Sequence, residues 1–163
     1  MIKFLKYLFS SFLLLVCFTS IKASHVPGGN ITYECIGPNT YVVTLTVFED
    51  CGTAFIGNMP ESISVTNTCG LTFSTNISLP IVTYQQEISQ LCLPMLGQSE
   101  CNGGGFPGVY MHIWRDTITL PGPCDSWIFS YDDCCRNASQ NLTGTGNDYY
   151  FETVLNSNTA SCN

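Results

Sequence analysis

Tyr41-Val42-Val43-Thr44-Leu45-Thr46-Val47-Phe48-Glu49 is the stretch that decides the fold. Successive side chains of an extended chain point to opposite faces, so Tyr41, Val43, Leu45 and Val47 share one face while Thr44 and Thr46 share the other. One face is apolar and one wets, the mark of an antiparallel sheet with a single buried side. Outward from this run the same texture continues. Segments rich in Thr, Val, Ile, Tyr and Phe are broken every ten residues or so by Gly, Pro and Asn, with no long 3.6-residue period. Strands are expected at Asn30–Ile36, Tyr41–Glu49, Ser62–Asn67, Leu71–Ile77, Ile81–Ile88, Val109–Leu120, Ser126–Asp132 and Asp148–Leu155.

Turn chemistry divides these runs. Gly37-Pro38-Asn39 reads as a hairpin connection, Cys101-Asn102-Gly103-Gly104-Gly105 as a flexible loop, and Pro121-Gly122-Pro123 as a stop to any ladder, because proline donates no hydrogen bond. Gln85–Leu96 offers at most a short helical turn, limited by Pro94 and the β-branched residues before it. The fold class implied is all-β: a disulfide-stapled antiparallel β-sandwich of immunoglobulin-like kind.

The first 23 residues read differently. Lys3 and Lys6 precede an apolar run from Leu8 to Phe18, and a more polar stretch ends at Lys22-Ala23-Ser24. That is the charged, apolar and small-residue order of a secretory signal peptide, with cleavage expected after Ala23. Its apolar core falls short of the ~20 residues that span a bilayer, and no transmembrane segment is expected in the rest. Lipidation at Cys17 is disfavoured by the bulky Val16 before it. Residues 24–163 then form one domain, large enough for a core of its own. They keep Arg115 and Arg136 against twelve acidic residues, a formal charge of −10. Nothing there can neutralise a phosphate backbone, which excludes nucleic acid as a partner.

Nine cysteines remain after the signal: Cys35, Cys51, Cys69, Cys92, Cys101, Cys124, Cys134, Cys135 and Cys162. In an exported chain this density reads as a disulfide framework, and the absence of any CxxC pair disfavours zinc. Cys92 and Cys101 flank a short segment that a bridge between them would close. The neighbours Cys134 and Cys135 point to opposite faces of a strand, so two different partners are expected for them. From the odd count, with Ser161-Cys162-Asn163 as the last residues, a partner for one cysteine is expected beyond this sequence, and the domain is expected to be the N-terminal part of a longer protein.

Candidate chemistry is sparse. Asp125 and Asp132-Asp133 lie close in sequence but match no defined calcium loop, and read as a solvated acidic face. His112, between Met111 and Ile113, reads as a structural or exposed histidine, and His25 stands beside the new N-terminus. No GxSxG, HExxH or paired-carboxylate signature is present. No catalytic, metal-binding or cofactor-binding residue is assigned, and no cofactor is expected. Trp127, Phe129 and Tyr131 share a strand face as core. Trp114 beside Arg115, with Tyr110, offers an exposed ligand contact for a sugar or a partner. Asn-x-Ser/Thr sequons stand at Asn30, Asn76, Asn137 and Asn141.

Five stretches carry a resemblance: Ser24–Tyr33 (SHVPGGNITY), Tyr41–Cys51 (YVVTLTVFEDC), Gly104–Tyr110 (GGFPGVY), Thr117–Pro121 (TITLP) and Cys124–Asn137 (CDSWIFSYDDCCRN). Together they resemble the N-terminal region of large exported surface proteins of Bacteroidota, described as gliding-motility-associated or adhesin-like. Members commonly have a basic or neutral residue where this chain has Glu49. The resemblance implies a long protein with further β-domains, a terminal sorting domain read by the type IX secretion system, and no catalytic residues. The leading expectation is a non-enzymatic module at the outer cell surface, adhesive or structural, whose partner is a surface protein or glycan. The alternative is a carbohydrate-binding module of a secreted system, which requires Trp114, Tyr110 and the acidic residues to form one exposed cluster.

Overall fold

The computed structural model describes residues 26–52, 56–134, 136, 148–159 and 162. The signal peptide, Cys17, His25, Cys135, Asn137 and Asn141 lie outside the described residues. Eight strands form two four-stranded antiparallel sheets. They are β1 (Gly28–Gly37), β2 (Thr40–Asp50), β3 (Glu61–Asn67), β4 (Asn76–Leu79), β5 (Ile81–Glu87), β6 (Val109–Thr119), β7 (Trp127–Asp133) and β8 (Tyr149–Leu155). One sheet has the order β1-β2-β6-β5 and the other β4-β3-β7-β8. The disulfide-stapled antiparallel sandwich expected from the sequence is therefore the architecture found. Among the described residues no helix is long and apolar enough to cross a membrane.

The alternation in β2 does what its sequence dictates. Tyr41, Val43, Leu45 and Val47 are buried, while the residues between them are only partly covered. They meet Ile63 and Val65 of β3, Trp127, Phe129 and Tyr131 of β7, and Leu155 of β8 in one core. The β1–β2 hairpin turns at Pro38-Asn39, where Asn39 takes φ 51°, a left-handed conformation that asparagine tolerates well. Gly29 lets β1 pass close to the second sheet: a Cβ there would strike the Thr46 carbonyl and the Phe151 ring. Pro80 separates β4 from β5 as the chain changes sheets, and Pro121–Pro123 does the same between β6 and β7.

One expected strand is misplaced. Leu71–Ile77 was to form a strand, but the ladder begins only at Asn76 and runs to Leu79. Asn67 takes over the backbone beyond β3: its Oδ1 accepts from the N–H groups of Cys69 and Leu71, at 3.1 and 3.0 Å, and its Nδ2 donates to the Leu71 carbonyl at 2.7 Å. Such local side-chain bonds compete with sheet pairing. Leu71 and Phe73 are instead anchors of a loop, packed against the core, with Phe73 edge-on to Trp127 at 5.7 Å between ring centres. Their two-residue spacing imitates a strand.

The only helical turns among the described residues are 3-10 pieces at Leu93–Gln98 and Glu100–Asn102. The segment expected to be a flexible loop is tied down by backbone bonds from Glu100 to Phe106 (2.7 Å), Phe106 to Gln98 (3.1 Å) and Gly104 to Ser99 (2.8 Å). Glu87 completes it, accepting from the buried Ser99 hydroxyl at 2.5 Å and from Asn102 at 2.7 Å. The Ser99 and Ser89 hydroxyls hold the Glu87 carboxyl below the usual carboxylate range.

Three disulfides fasten loops to sheets: Cys35–Cys162, Cys51–Cys101 and Cys69–Cys124. The last joins positions 55 residues apart in sequence, and closing a loop of that order in the unfolded chain contributes about 2–4 kcal/mol. Replacing Cys69 and Cys124 together by alanine is expected to lower the urea midpoint by the equivalent of that energy, followed by tryptophan fluorescence. An unchanged midpoint would show that the bridge constrains nothing.

Candidate functional site

The pairing of the cysteines decides what chemistry is left to them. Cys101 pairs with Cys51 and not with Cys92. The Cys51 N–H donates to the Gly108 carbonyl at 3.0 Å, which brings the end of β2 beside the 99–108 loop. Gly108 leaves room for the bridge, since a Cβ there would lie 2.5 Å from Cys101 Sγ. Cys92 precedes the Leu93–Gln98 turn and is a free, exposed thiol. Cys162 finds its partner within the chain, in Cys35, and the free cysteine among the described residues is Cys92. Cys134 is also disulfide-bonded. Asp125 lies beside Cys69 and Cys124 in a group with metal-ligand spacing, but both sulfurs are committed to their mutual bond. A thiolate is what a metal needs, so the group has one usable ligand.

Trp114, read as an exposed ligand contact, has 0 % of its surface exposed. It stands on the same face of β6 as His112 and Ile118, so it points into the sandwich, and its indole N–H donates to the Met59 carbonyl at 2.9 Å. Its neighbour Arg115 faces outward and donates to the Thr44 hydroxyl at 3.1 Å. Tyr110 is half-buried and donates to the Cys101 carbonyl at 3.0 Å. Asp125 precedes β7 while Asp132 and Asp133 close its far end. Trp114, Tyr110 and these aspartates therefore form no common exposed cluster.

His112 is also in the core. Its Nε2 lies 2.6 Å from Glu49 Oε2, with both residues buried in the sandwich. Glu49 is the fifth residue on the buried face of β2, and β6 brings His112 alongside. The imidazole stacks on Trp114 at 5.8 Å and meets the Tyr84 ring at 5.2 Å. Its Nδ1 has no hydrogen-bond partner among the described residues. A general base has to reach a reacting group; among the described residues the hydrogen-bond partner of this ring is Glu49.

A cavity of about 210 Å³ lies between the sheets at one end of the sandwich, next to a wider depression of about 470 Å³ that shares Val26 and Tyr149 with it. Val26, Val47 and Trp114 form its apolar floor, Tyr131 and Tyr149 wall it, and Glu61 and Asp133 line it from the adjoining ends of β3 and β7. Both phenol oxygens lie 3.5 Å from Asp133 Oδ2. Burial, reinforced by neighbouring charge, pushes the Tyr131 and Tyr149 phenols well above the usual tyrosine range. Burial, with a smaller push from Asp133, raises the Glu61 carboxyl too. Tyr131 is in the core and Asp133 is exposed, as the sequence implies; Glu61 joins them only through the pairing of β3 with β7. Comparison with protein-family models, with curated proteins and with solved structures returns no match.

Two outcomes follow from this geometry. His112→Ala leaves Glu49 buried without its partner, and is expected to cost about 3–5 kcal/mol in urea unfolding at neutral pH, whereas replacing both residues by apolar ones of similar volume costs less. Equal losses in the two variants would mean that packing, not charge, sets the cost. For Glu61, the folded protein holds the proton more tightly than the unfolded chain does, so stability falls as pH rises through the carboxylate range. Glu61→Gln should accordingly flatten the decline between acid and neutral pH; a steeper decline in the variant contradicts the assignment.

Proposed function

We propose that this chain is a non-enzymatic module of an exported surface protein, adhesive or structural, working in an oxidising setting outside the cell. The observation that carries the reading is the covalent framework: three disulfides, with Cys134 also oxidised, fasten the loops of a small β-sandwich to its sheets. Such bridges form and persist in oxidising compartments and are rare where thiols are kept reduced. The signal-like N-terminus and the resemblance to the first domain of Bacteroidota surface proteins support the same setting. The module reading is supported by the packing of His112 against Glu49 within the sandwich, where among the described residues no nucleophile is hydrogen-bonded to the imidazole. The carbohydrate-binding alternative loses its stacking platform with the burial of Trp114.

The test is to label intact cells with a membrane-impermeant amine- or carboxyl-directed reagent and to map disulfides in the recovered protein without reduction. Labelled protein carrying the Cys51–Cys101 and Cys69–Cys124 linked peptides is the expected result. Protein found only in the cytoplasm, with those four thiols free, overturns the proposal.

A further inference from the structure

The cavity at the end of the sandwich carries two carboxylates. Glu61 and Asp133 line it together, and like charges on adjoining strands work against folding. Among the described residues no lysine or arginine forms an ion pair with either. Arg115 is engaged on the outer face, and Arg136 lines a neighbouring depression with Asp148. Tyr131 and Tyr149 line the cavity beside the carboxylates, and Val47 and Trp114 back it from within the core with almost none of their surface exposed. Carboxylates beside tyrosine rings suit a cation carried on a short aliphatic stem, since aromatic rings attract cations and apolar walls accept methylenes.

We propose that this cavity binds a primary ammonium group on an aliphatic stem, such as the end of a lysine side chain, with Glu61 and Asp133 as its counter-charges. The acceptors come from two strands, which suits the three diverging donors of an ammonium; a planar guanidinium prefers one carboxylate taken edge-on. The cavity is smaller than the roughly 300–1,000 Å³ of sites for drug-sized molecules, and matches a single side chain. The inference goes beyond the surface-module reading and stands on the cavity alone.

The test titrates the folded, disulfide-intact protein with butylamine, with Nα-acetyl-lysine-N-methylamide and with the uncharged Nα-acetyl-norleucine-N-methylamide, following the Trp114 indole N–H resonance. Saturable shifts with one or both amines, of the order of millimolar in Kd, and none with the norleucine compound, are expected. Stronger binding of the lysine compound points to a protein side chain as the natural ligand, and stronger binding of butylamine to a free amine. Binding should weaken about tenfold or more in Glu61→Gln and in Asp133→Asn, variants whose retained Trp114 dispersion reports an intact fold. Equal binding of the norleucine compound, no saturation by either amine, unchanged affinity in both variants, or saturation by calcium alone overturns the proposal.

Discussion

The pairing of β2 with β6 is the constraint on which the rest of the molecule depends. The two strands are matched from Thr40–Thr119 to Asp50–Val109 without a break in register. Because the side-chain period of a strand is two, that register fixes at once which residues of both strands enter the sandwich. It sets Tyr41, Val43, Leu45 and Val47 beside Trp114 and Ile118 in one core. It also places Glu49 and His112 on the same inner face, where the carboxylate and the imidazole satisfy one another. A slip of one residue would turn Trp114 outward and leave a carboxylate buried alone.

Much of this was legible in the sequence wherever the cause is local. The alternation of Tyr41–Glu49 is a local cause, and so are the breaks at Pro38-Asn39 and Pro121–Pro123. The disulfide framework was legible as a density of cysteines but not as a map, since pairing depends on which loops meet in space. Cys101 lies nine residues from Cys92 in sequence, yet the end of β2 brings Cys51 to it. The Leu71–Ile77 error has the same origin: Leu71 and Phe73 alternate because both dip into the core from a loop, and Asn67 claims the backbone that a ladder would need.

The candidate site shows the limit more sharply. Trp114 drew a binding role because Arg115 follows it, although its two-residue spacing from His112 and its four-residue spacing from Ile118 already put it on an inner face. Glu61 looked like any strand-opening carboxylate, and Tyr131 like any core aromatic. Only the arrangement of β3, β7 and β8 encloses them with Asp133 and Tyr149 around one cavity. Polar groups that burial holds away from their usual ionisation are costly to fold around, and sites for recognition are where such cost is commonly found.

The Cys35–Cys162 bridge has a mechanical meaning. It links β1 to a position 127 residues further along the chain, just past the last strand. The bond closes nearly the whole described chain into one covalent ring, with β2 to β8 inside it. Hydrogen bonds between strands can open and reform, but within this ring no opening of a ladder can carry β1 away from the chain that follows β8.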